Sequence, residues 1–180
     1  MESAPQTDVY TFPARVLHWL TAGLVLVMVP LGLVIANEAG GPLQSMLYSG
    51  HKSIGALILV LAVIRLAYRL SHPPPPLPDD FPALQRFAAH ATHWGLYALL
   101  FAMPLLGWAG TSAYPAPVPF FGLFELPPLL GPNRALSEQL LHWHGRVALA
   151  LVGLAALHIG AALFHAFVRR DRVLARMLGG

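Results

Sequence analysis

Nine histidines and no cysteine make imidazole the plentiful metal-binding group of this 180-residue chain. Two of them, His144 and His158, lie fourteen residues apart within residues 140–167, an apolar stretch that carries a single charged side chain. On an α-helix, fourteen residues return to within about 40° of the starting direction and rise about 21 Å. Both imidazoles therefore lie on one helix face, at two depths. An imidazole deep in such a helix is costly without a partner, so the rest of the chain is expected to supply two partners.

The composition is that of a polytopic membrane protein. The chain is 56% hydrophobic and 11% charged, with a mean hydropathy of +0.60, which is too apolar for an ordinary soluble domain. Four apolar runs predict transmembrane spans at about residues 14–36, 51–70, 92–111 and 138–168. The predicted fold class is all-α, an integral membrane four-helix bundle that forms one domain over residues 1–180. The absence of cysteine excludes disulfides, iron–sulfur clusters and thiolate ligands.

The charge distribution predicts topology. A formal net charge of +3 invites a nucleic-acid partner, but the basic residues flank apolar spans and form no solvated patch, so nucleic acid is rejected. Arg15 precedes the first span. The others lie around the second connection or after the last span: Arg65, Arg69, Arg86, Arg169, Arg170, Arg172 and Arg176. Residues 36–50 contain no Lys or Arg, and residues 111–139 contain only Arg134. The positive-inside rule then predicts that both termini are cytoplasmic.

The connections between the spans differ in character. Before the first span, Pro5 and Asp8 and the length of the apolar run argue against a cleavable signal peptide. Residues 36–42 are expected to form an outer turn, and residues 73–80 a stiff, proline-rich inner link. The outer connection, residues 111–139, has too many prolines for a continuous helix: Pro115, Pro117, Pro119, Pro127, Pro128 and Pro132. Its aromatic residues 120–124 are expected to lie in the membrane interface as a lid.

Helix direction predicts which histidines share a depth. His18 lies at the inner end of the first span and His51 at the outer end of the second. The fourth span runs inward from His144 to His158. The simplest pairing is therefore His51 with His144 outside, and His18 with His158 inside. Neutral imidazoles are good axial ligands for haem iron, and helix bundles build such sites from facing side chains, so these four residues are the predicted metal ligands.

Other histidines offer alternatives. His90 and His93 compete at the inner side, because His93 could pair with His18. That choice would leave His158 unpaired among apolar neighbours, so His158 is preferred. The remaining histidines are interpreted as loop, interfacial or helix-end residues: His72, His142 and His165.

Taken together, the chain resembles the bacterial cytochrome b561 family of four-helix, di-haem proteins of the cytoplasmic (inner) membrane. The resemblance extends from Arg15 to about Met177. The residues that carry it are Arg15-x-x-His18-Trp19, His51 with Gly55, Arg65 and Arg69, His90-x-x-His93, Phe121-Gly122-Leu123-Phe124, Trp143-His144, and His158. The family implies axial histidines on the first, second and fourth helices, in the pairing given above. The N-terminal extension and the long outer connection depart from some relatives.

The resemblance implies two haem b groups, bound non-covalently by bis-histidine ligation, and electron transfer across the membrane. It also implies exchange with membrane quinone, and an outer one-electron donor for which superoxide is a candidate; lipid surrounds the bundle. Candidate partners for the haem propionates are the cations near the span ends: Arg15, Lys52, Arg65, Arg69, Arg134 and Arg146. No flavin or nicotinamide fingerprint is present, so a hydride step is not expected.

Two alternative functions remain open. One is a haem-bearing membrane anchor of a dehydrogenase or hydrogenase, which requires a larger redox partner. The other is a metal or proton transporter that uses the histidines as relay groups and shows no haem absorption. For quinone, an inner cluster is preferred to an outer one because an outside donor would feed the outer haem first. The inner cluster comprises His90, His93, His165 and Arg69, and the outer one His142, Trp143, Arg134 and residues 120–124.

Overall fold

The computed structural model describes residues 9–37, 40–77 and 81–180. Three sequence-based expectations lie partly outside these residues. They are the character of the N-terminal residues before Val9, the part of the outer turn at Glu38, and the part of the inner link at Asp79 and Asp80.

Four long helices dominate the chain: α1 (Phe12–Asn37), α2 (Pro42–Ser71), α3 (Ala83–Ala113) and α4 (Arg134–Phe164). A π-helical turn, His165–Arg169, continues α4, and a short α5 follows at Ala175–Leu178. Each of the four long helices is long and apolar enough to cross a membrane. The predicted all-α, four-helix membrane fold is confirmed.

Two helices begin earlier than the predicted spans. α2 begins at Pro42. Proline suits the first turn of a helix because its φ is fixed near the helical value and its missing N–H would have no partner there. α3 begins at Ala83 directly after Pro82, so the expected approach helix and the third span form one continuous element. Both extensions carry the helices beyond the apolar residues that defined the spans.

The bundle is held by close packing on its inside. Ile58 and Ala62 of α2 and Leu100 of α3 form a buried cluster against which Met28 of α1 packs. α3 approaches α4 closely at a glycine, because a Cβ built on Gly110 would lie 2.8 Å from a methyl carbon of Leu141. At the same place, the buried Oγ of Ser137 donates a hydrogen bond to the Gly110 carbonyl at 2.8 Å. Small residues and interhelical hydrogen bonds of this kind are typical of helix packing in membranes.

The outer connection contains a short antiparallel hairpin that the sequence did not predict. β1 (Val118–Phe120) pairs with β2 (Phe124–Leu126), with Val118 opposite Leu126. The turn between them places Phe121 and Gly122 at positive φ, 52° and 73°. Ser53 of α2 holds the hairpin. Its Oγ accepts a hydrogen bond from the Phe121 amide at 3.0 Å and lies 2.9 Å from the Pro119 carbonyl. We call this end of the bundle, which carries the hairpin, the outer end.

The opposite end carries Val9, where the described chain begins, and the C-terminus, and we call it the inner end. Residues 170–180, here called the C-terminal strap, fold back across it. Trp19 Nε1 donates a hydrogen bond to the Met177 carbonyl at 3.0 Å, and the Tyr10 amide donates to the Arg176 carbonyl at 3.2 Å. Arg176 Nη1 also donates to the Pro76 carbonyl at 2.7 Å. The strap therefore ties α1 to the proline-rich link that follows α2.

Candidate functional site

At the outer end, α2 and α4 bring two imidazole rings close together. The ring centroids of His51 and His144 lie 6.0 Å apart, with an interplanar angle of 66°. His144 Nδ1 lies 2.9 Å from the Met103 carbonyl of α3. Because a carbonyl can only accept, Nδ1 carries the proton and Nε2 keeps its lone pair. The Nδ1 atom of His51 is buried and has no hydrogen-bond partner among the described residues.

Glycines make room for both outer rings. A Cβ built on Gly107 of α3 would lie 3.1 Å from His144 Cε1 and 3.2 Å from its Nδ1. A Cβ on Gly32 of α1 would lie 3.6 Å from His51 Cε1. Helix α3 thus provides no predicted ligand, yet it orients His144 through the Met103 carbonyl and the space at Gly107. The sequence reasoning missed these positions. Two glycines opposite predicted ligands are common in any membrane helix, so the signal was weak.

At the inner end, α1 and α4 bring His18 and His158 together. Their ring centroids lie 6.1 Å apart, with an interplanar angle of 65°. Arg65 Nη2 lies 2.8 Å from His18 Nδ1. Because a guanidinium can only donate, the neutral His18 ring accepts at Nδ1 and carries its own proton at Nε2. Arg65 is fourteen residues after His51, the same spacing that puts His144 and His158 on one face of α4. That spacing could have revealed Arg65 as a residue of the inner site.

A third imidazole lies at the inner site. His93 of α3 is near His158, with ring centroids 5.3 Å apart. The alternative pairs His93 with His18, whereas the ring contact that the structure gives for His93 is with His158. Within the described part of the chain, no three His, Asp or Glu side chains converge closely enough to hold a bare metal ion.

The two pairs suit an iron cofactor such as haem, which each pair would hold between its two imidazoles. Their ring centroids lie 6.0 Å and 6.1 Å apart, whereas those of His93 and His158 lie 5.3 Å apart. Neutral nitrogen donors without carboxylates suit haem iron.

The candidate propionate partners divide into two groups. Arg65 and Arg69 line a cleft at the inner end together with Tyr10, Tyr68 and Tyr97. Their guanidinium carbons lie 5.3 Å and 5.9 Å from the Tyr97 ring centroid, and neither has an ion-pair partner in the described residues.

The remaining cations lie elsewhere. Arg15 lies under the C-terminal strap, and its Nε is buried without a partner among the described residues. Lys52 Nζ, at the outer end, donates to the Pro117 carbonyl at 2.7 Å. Arg134 pairs with Glu138 at 2.9 Å on an exposed surface. Arg146 Nε donates to His142 Nε2 at 3.1 Å, and both side chains are exposed.

The inner cluster proposed for quinone is only partly assembled. His93 lies beside His158, and Arg69 lies over the Trp94 ring at 5.8 Å. His165 instead stacks on Phe81, with centroids 5.1 Å apart and an angle of 13°.

His165 also donates from Nδ1 to Asp171 Oδ2 at 2.5 Å, which joins the π-helical turn to the strap. Burial acts to raise the pKa of Asp171, but hydrogen bonds from His165 and from the Val173 amide outweigh burial and hold that pKa below its ordinary value. Asp171 is therefore an ionised acceptor for the His165 proton. In the outer cluster, Trp143 is 59% exposed and contacts the ring of exposed His142.

Comparison with known proteins gives a consistent family. The sequence model of the family described as prokaryotic cytochrome b561 matches residues 9–180. Cytochrome b561 homolog 2 of Escherichia coli (strain K12) is 37% identical over 171 residues, covering 90% of this chain and 87% of the relative. Probable superoxide oxidase CybB of Yersinia pestis is 31% identical, covering 90% of this chain and 91% of that protein. Cytochrome b561 homolog 1 of Escherichia coli (strain K12) is 30% identical, with 90% and 92% covered.

The contact between Gly107 and His144 leads to a test. We expect Gly107→Ala to displace the His144 ring, since the added methyl would lie 3.1 Å from Cε1, and overpacking of this kind costs about 1–3 kcal/mol. Low-spin EPR of the purified protein should then show an altered haem signal. The matched control is Gly153→Ala, which adds the same methyl to open space on α4. Unaltered spectra for Gly107→Ala would contradict the expectation.

Proposed function

The chain belongs to the prokaryotic cytochrome b561 family, and from that premise we propose that it carries electrons across the inner membrane, between an outer one-electron donor and membrane quinone. It is a multi-pass inner-membrane protein with four membrane-spanning helices. In this proposal His51 and His144 hold an outer haem b, and His18 and His158 hold an inner one. The observation that carries the proposal is the equal geometry of the two pairs, 6.0 Å and 66° against 6.1 Å and 65°.

The ligating residues do different work in the two pairs. Bis-imidazole haem b supplies a reversible one-electron iron couple that needs no change of ligand. In the outer pair, the Met103 carbonyl holds the His144 proton at Nδ1 and leaves Nε2 free to ligate. In the inner pair, Arg65 occupies His18 Nδ1, so ligation through Nε2 requires the ring proton to move to Nδ1 and Arg65 to leave. A propionate carboxylate is the natural new partner for Arg65, because it accepts two charge-assisted hydrogen bonds.

The cleft at the inner end supports Arg65 and Arg69 as propionate partners, since both lack a carboxylate partner in the described residues. Lys52 is the corresponding outer partner, because it is partly buried one residue after His51. Arg15 is also proposed as a propionate partner at the inner end, because its buried Nε has no hydrogen-bond partner among the described residues. Arg134 pairs with Glu138, and Arg146 donates to His142. Because both arginines are exposed, neither is proposed as a propionate partner.

Superoxide is the proposed outer donor. The support is the name of one relative, probable superoxide oxidase CybB, together with the cation Lys52 at the outer end. Two superoxide anions lose one electron each and become two molecules of O₂. One quinone takes up the two electrons and two protons and becomes quinol. The chain therefore needs a proton supply beside the quinone.

His165 is the proposed proton donor to quinone at the inner end. It is hydrogen-bonded to the ionised Asp171 and lies at the junction between the bundle and the strap. Such a pair takes a proton from water on the strap side and passes it from imidazole to a bound acceptor. The proposed quinone site at the inner end also includes His90, Arg69 and His93, which contacts the inner ligand His158. His165 packs on Phe81 and would donate its proton from the side of the strap.

The orientation of the bundle is part of the proposal. The C-terminal strap and the end of α4 carry Arg169, Arg170, Arg172 and Arg176, whereas the outer connection carries only Arg134. The positive-inside rule puts the inner end in the cytoplasm. Leu149 and Leu157 are 73% and 61% exposed on α4, as side chains that contact lipid would be.

Haem content and ligand substitution test the two-haem proposal. We expect two haem b per chain in a pyridine haemochrome assay. His51→Ala and His144→Ala should each remove the same spectral component, and His18→Ala and His158→Ala the other, because each pair shares one cofactor. His142→Ala, an exposed histidine two residues from His144, is the control and should keep both. A content near one haem per chain, or loss of one component by both His18→Ala and His144→Ala, would sink the pairing.

Fusion reporters test the orientation. A reporter that is active only in the cytoplasm should work when fused after Gly180, because the arginines at the inner end favour that side. The same reporter placed in the hairpin turn at Gly122 should be inactive. The reverse pattern would invert the inner and outer assignments while leaving the haem pairing intact.

Quinone-dependent oxidation of pre-reduced protein tests the proton donor. We expect His165→Gln and Asp171→Asn to slow this rate by about tenfold or more, since general acid catalysis supplies at least that much. Haem content should stay at the wild-type level. His142→Gln is the matched substitution at the outer end and should leave the rate unchanged. An unchanged rate in His165→Gln together with a slowed rate in Arg134→Ala would move the quinone site to the outer end.

A further inference from the structure

The two proposed haem sites differ in the charge around them. At the inner site, the guanidinium of Arg65 touches the ligand His18, with 2.8 Å between Nη2 and Nδ1. Arg69 lines the same cleft and lies over the same tyrosine ring, that of Tyr97. No carboxylate within the described ranges forms an ion pair with either arginine. The inner cleft thus contributes two positive charges that no carboxylate of residues 9–37, 40–77 or 81–180 compensates by an ion pair.

The outer site has no such surplus. Lys52 is the cation next to the ligand His51, and it interacts electrostatically with Glu125 of the hairpin. Arg134 is paired with Glu138, and Arg146 lies on the exposed face of α4 against His142. Lys52 and Glu125 cancel, so the described side chains beside His51 have a net charge near zero. Arg65 and Arg69 alone therefore give the inner site about two more elementary charges than the outer site, and Arg15 at the inner end adds to that difference.

A second observation on the ligands points in the same direction. The Nδ1 proton of His144 is donated to the Met103 carbonyl at 2.9 Å. Such a hydrogen bond makes the imidazole a stronger electron donor to its metal, which favours the oxidised state. In contrast, the inner site has two arginines, Arg65 and Arg69, in the cleft beside it. A positive charge favours the state that holds the additional electron.

From these contacts, which rest on the function proposed above, we propose that Arg65 and Arg69 give the inner haem a higher reduction potential than the outer haem. The haems' own propionates do not remove the difference, because each haem carries the same two. Electrons then run downhill from the hairpin end to the strap end. In a membrane that is negative inside, an electron moving inward works against the field, and the higher inner potential offsets that work.

Redox potentiometry with optical and EPR detection tests the order of the two potentials. The two components are first assigned with His144→Ala and His158→Ala. In the wild-type protein, the inner component should be reduced at the higher potential. Arg69→Gln should make the inner haem at least tenfold harder to reduce, which is 59 mV for one electron, and should leave the outer component unchanged. Arg69→Lys, which keeps the charge, should restore most of the potential.

Arg86→Gln is the matched control, because it removes an arginine from the inner end whose guanidinium donates to the Phe81 carbonyl and does not line the cleft. It should shift neither component. An inner component at the lower potential, or an unchanged inner potential in Arg69→Gln with full haem content, would overturn the inference. Failure of the proposed function would appear earlier, as a haem count below two or a different ligation spectrum. If Arg65→Gln does not retain haem, Arg69→Gln still decides the question, since Arg69 is not hydrogen-bonded to a ligand.

Discussion

Helix α4 supplies an imidazole at each end of the bundle, and each imidazole requires a partner from another helix. His144 and His158 lie on a helix whose neighbours are mostly apolar, and a polar ring in such surroundings is costly unless a partner meets it. α2 meets the first with His51, and α1 meets the second with His18. Because α1 and α2 run in opposite directions, their single histidines reach opposite depths.

Much of this could be predicted from the sequence because it follows from helix geometry. The fourteen-residue spacing and the alternating direction of four spans are enough to pair the histidines by depth. The presence and order of the helices could also be predicted, since a long apolar run that spans a membrane forms a helix in most cases. The residues at which the helices begin and end were harder to predict. Pro42 and Pro82 start helices well before the apolar residues begin, and hydropathy carries no signal for polar helical turns.

The rest depended on contacts between elements. The hairpin pairs residues in a proline-rich segment whose local sequence gives little strand signal, and it is held by Ser53 of a different helix. The Met103 carbonyl and Gly107 act on His144 only because α3 has a particular rotation relative to α4. That rotation results from side-chain packing along the whole interface. His93 shows the same limit, since depth put it near both inner histidines and only packing placed it against His158.

The position of the ligands along the chain has a consequence for biosynthesis. The first two helices to leave the ribosome each carry one buried histidine, and both partners are on α4, more than eighty residues later for the nearer pair. In the proposed function, neither haem could be held from both sides until the last span has inserted, and the strap that closes the inner end is made after that. Cofactor binding would then be a late step of assembly. A nascent chain halted before α4 would leave both imidazoles without their partners, which is costly in a bilayer.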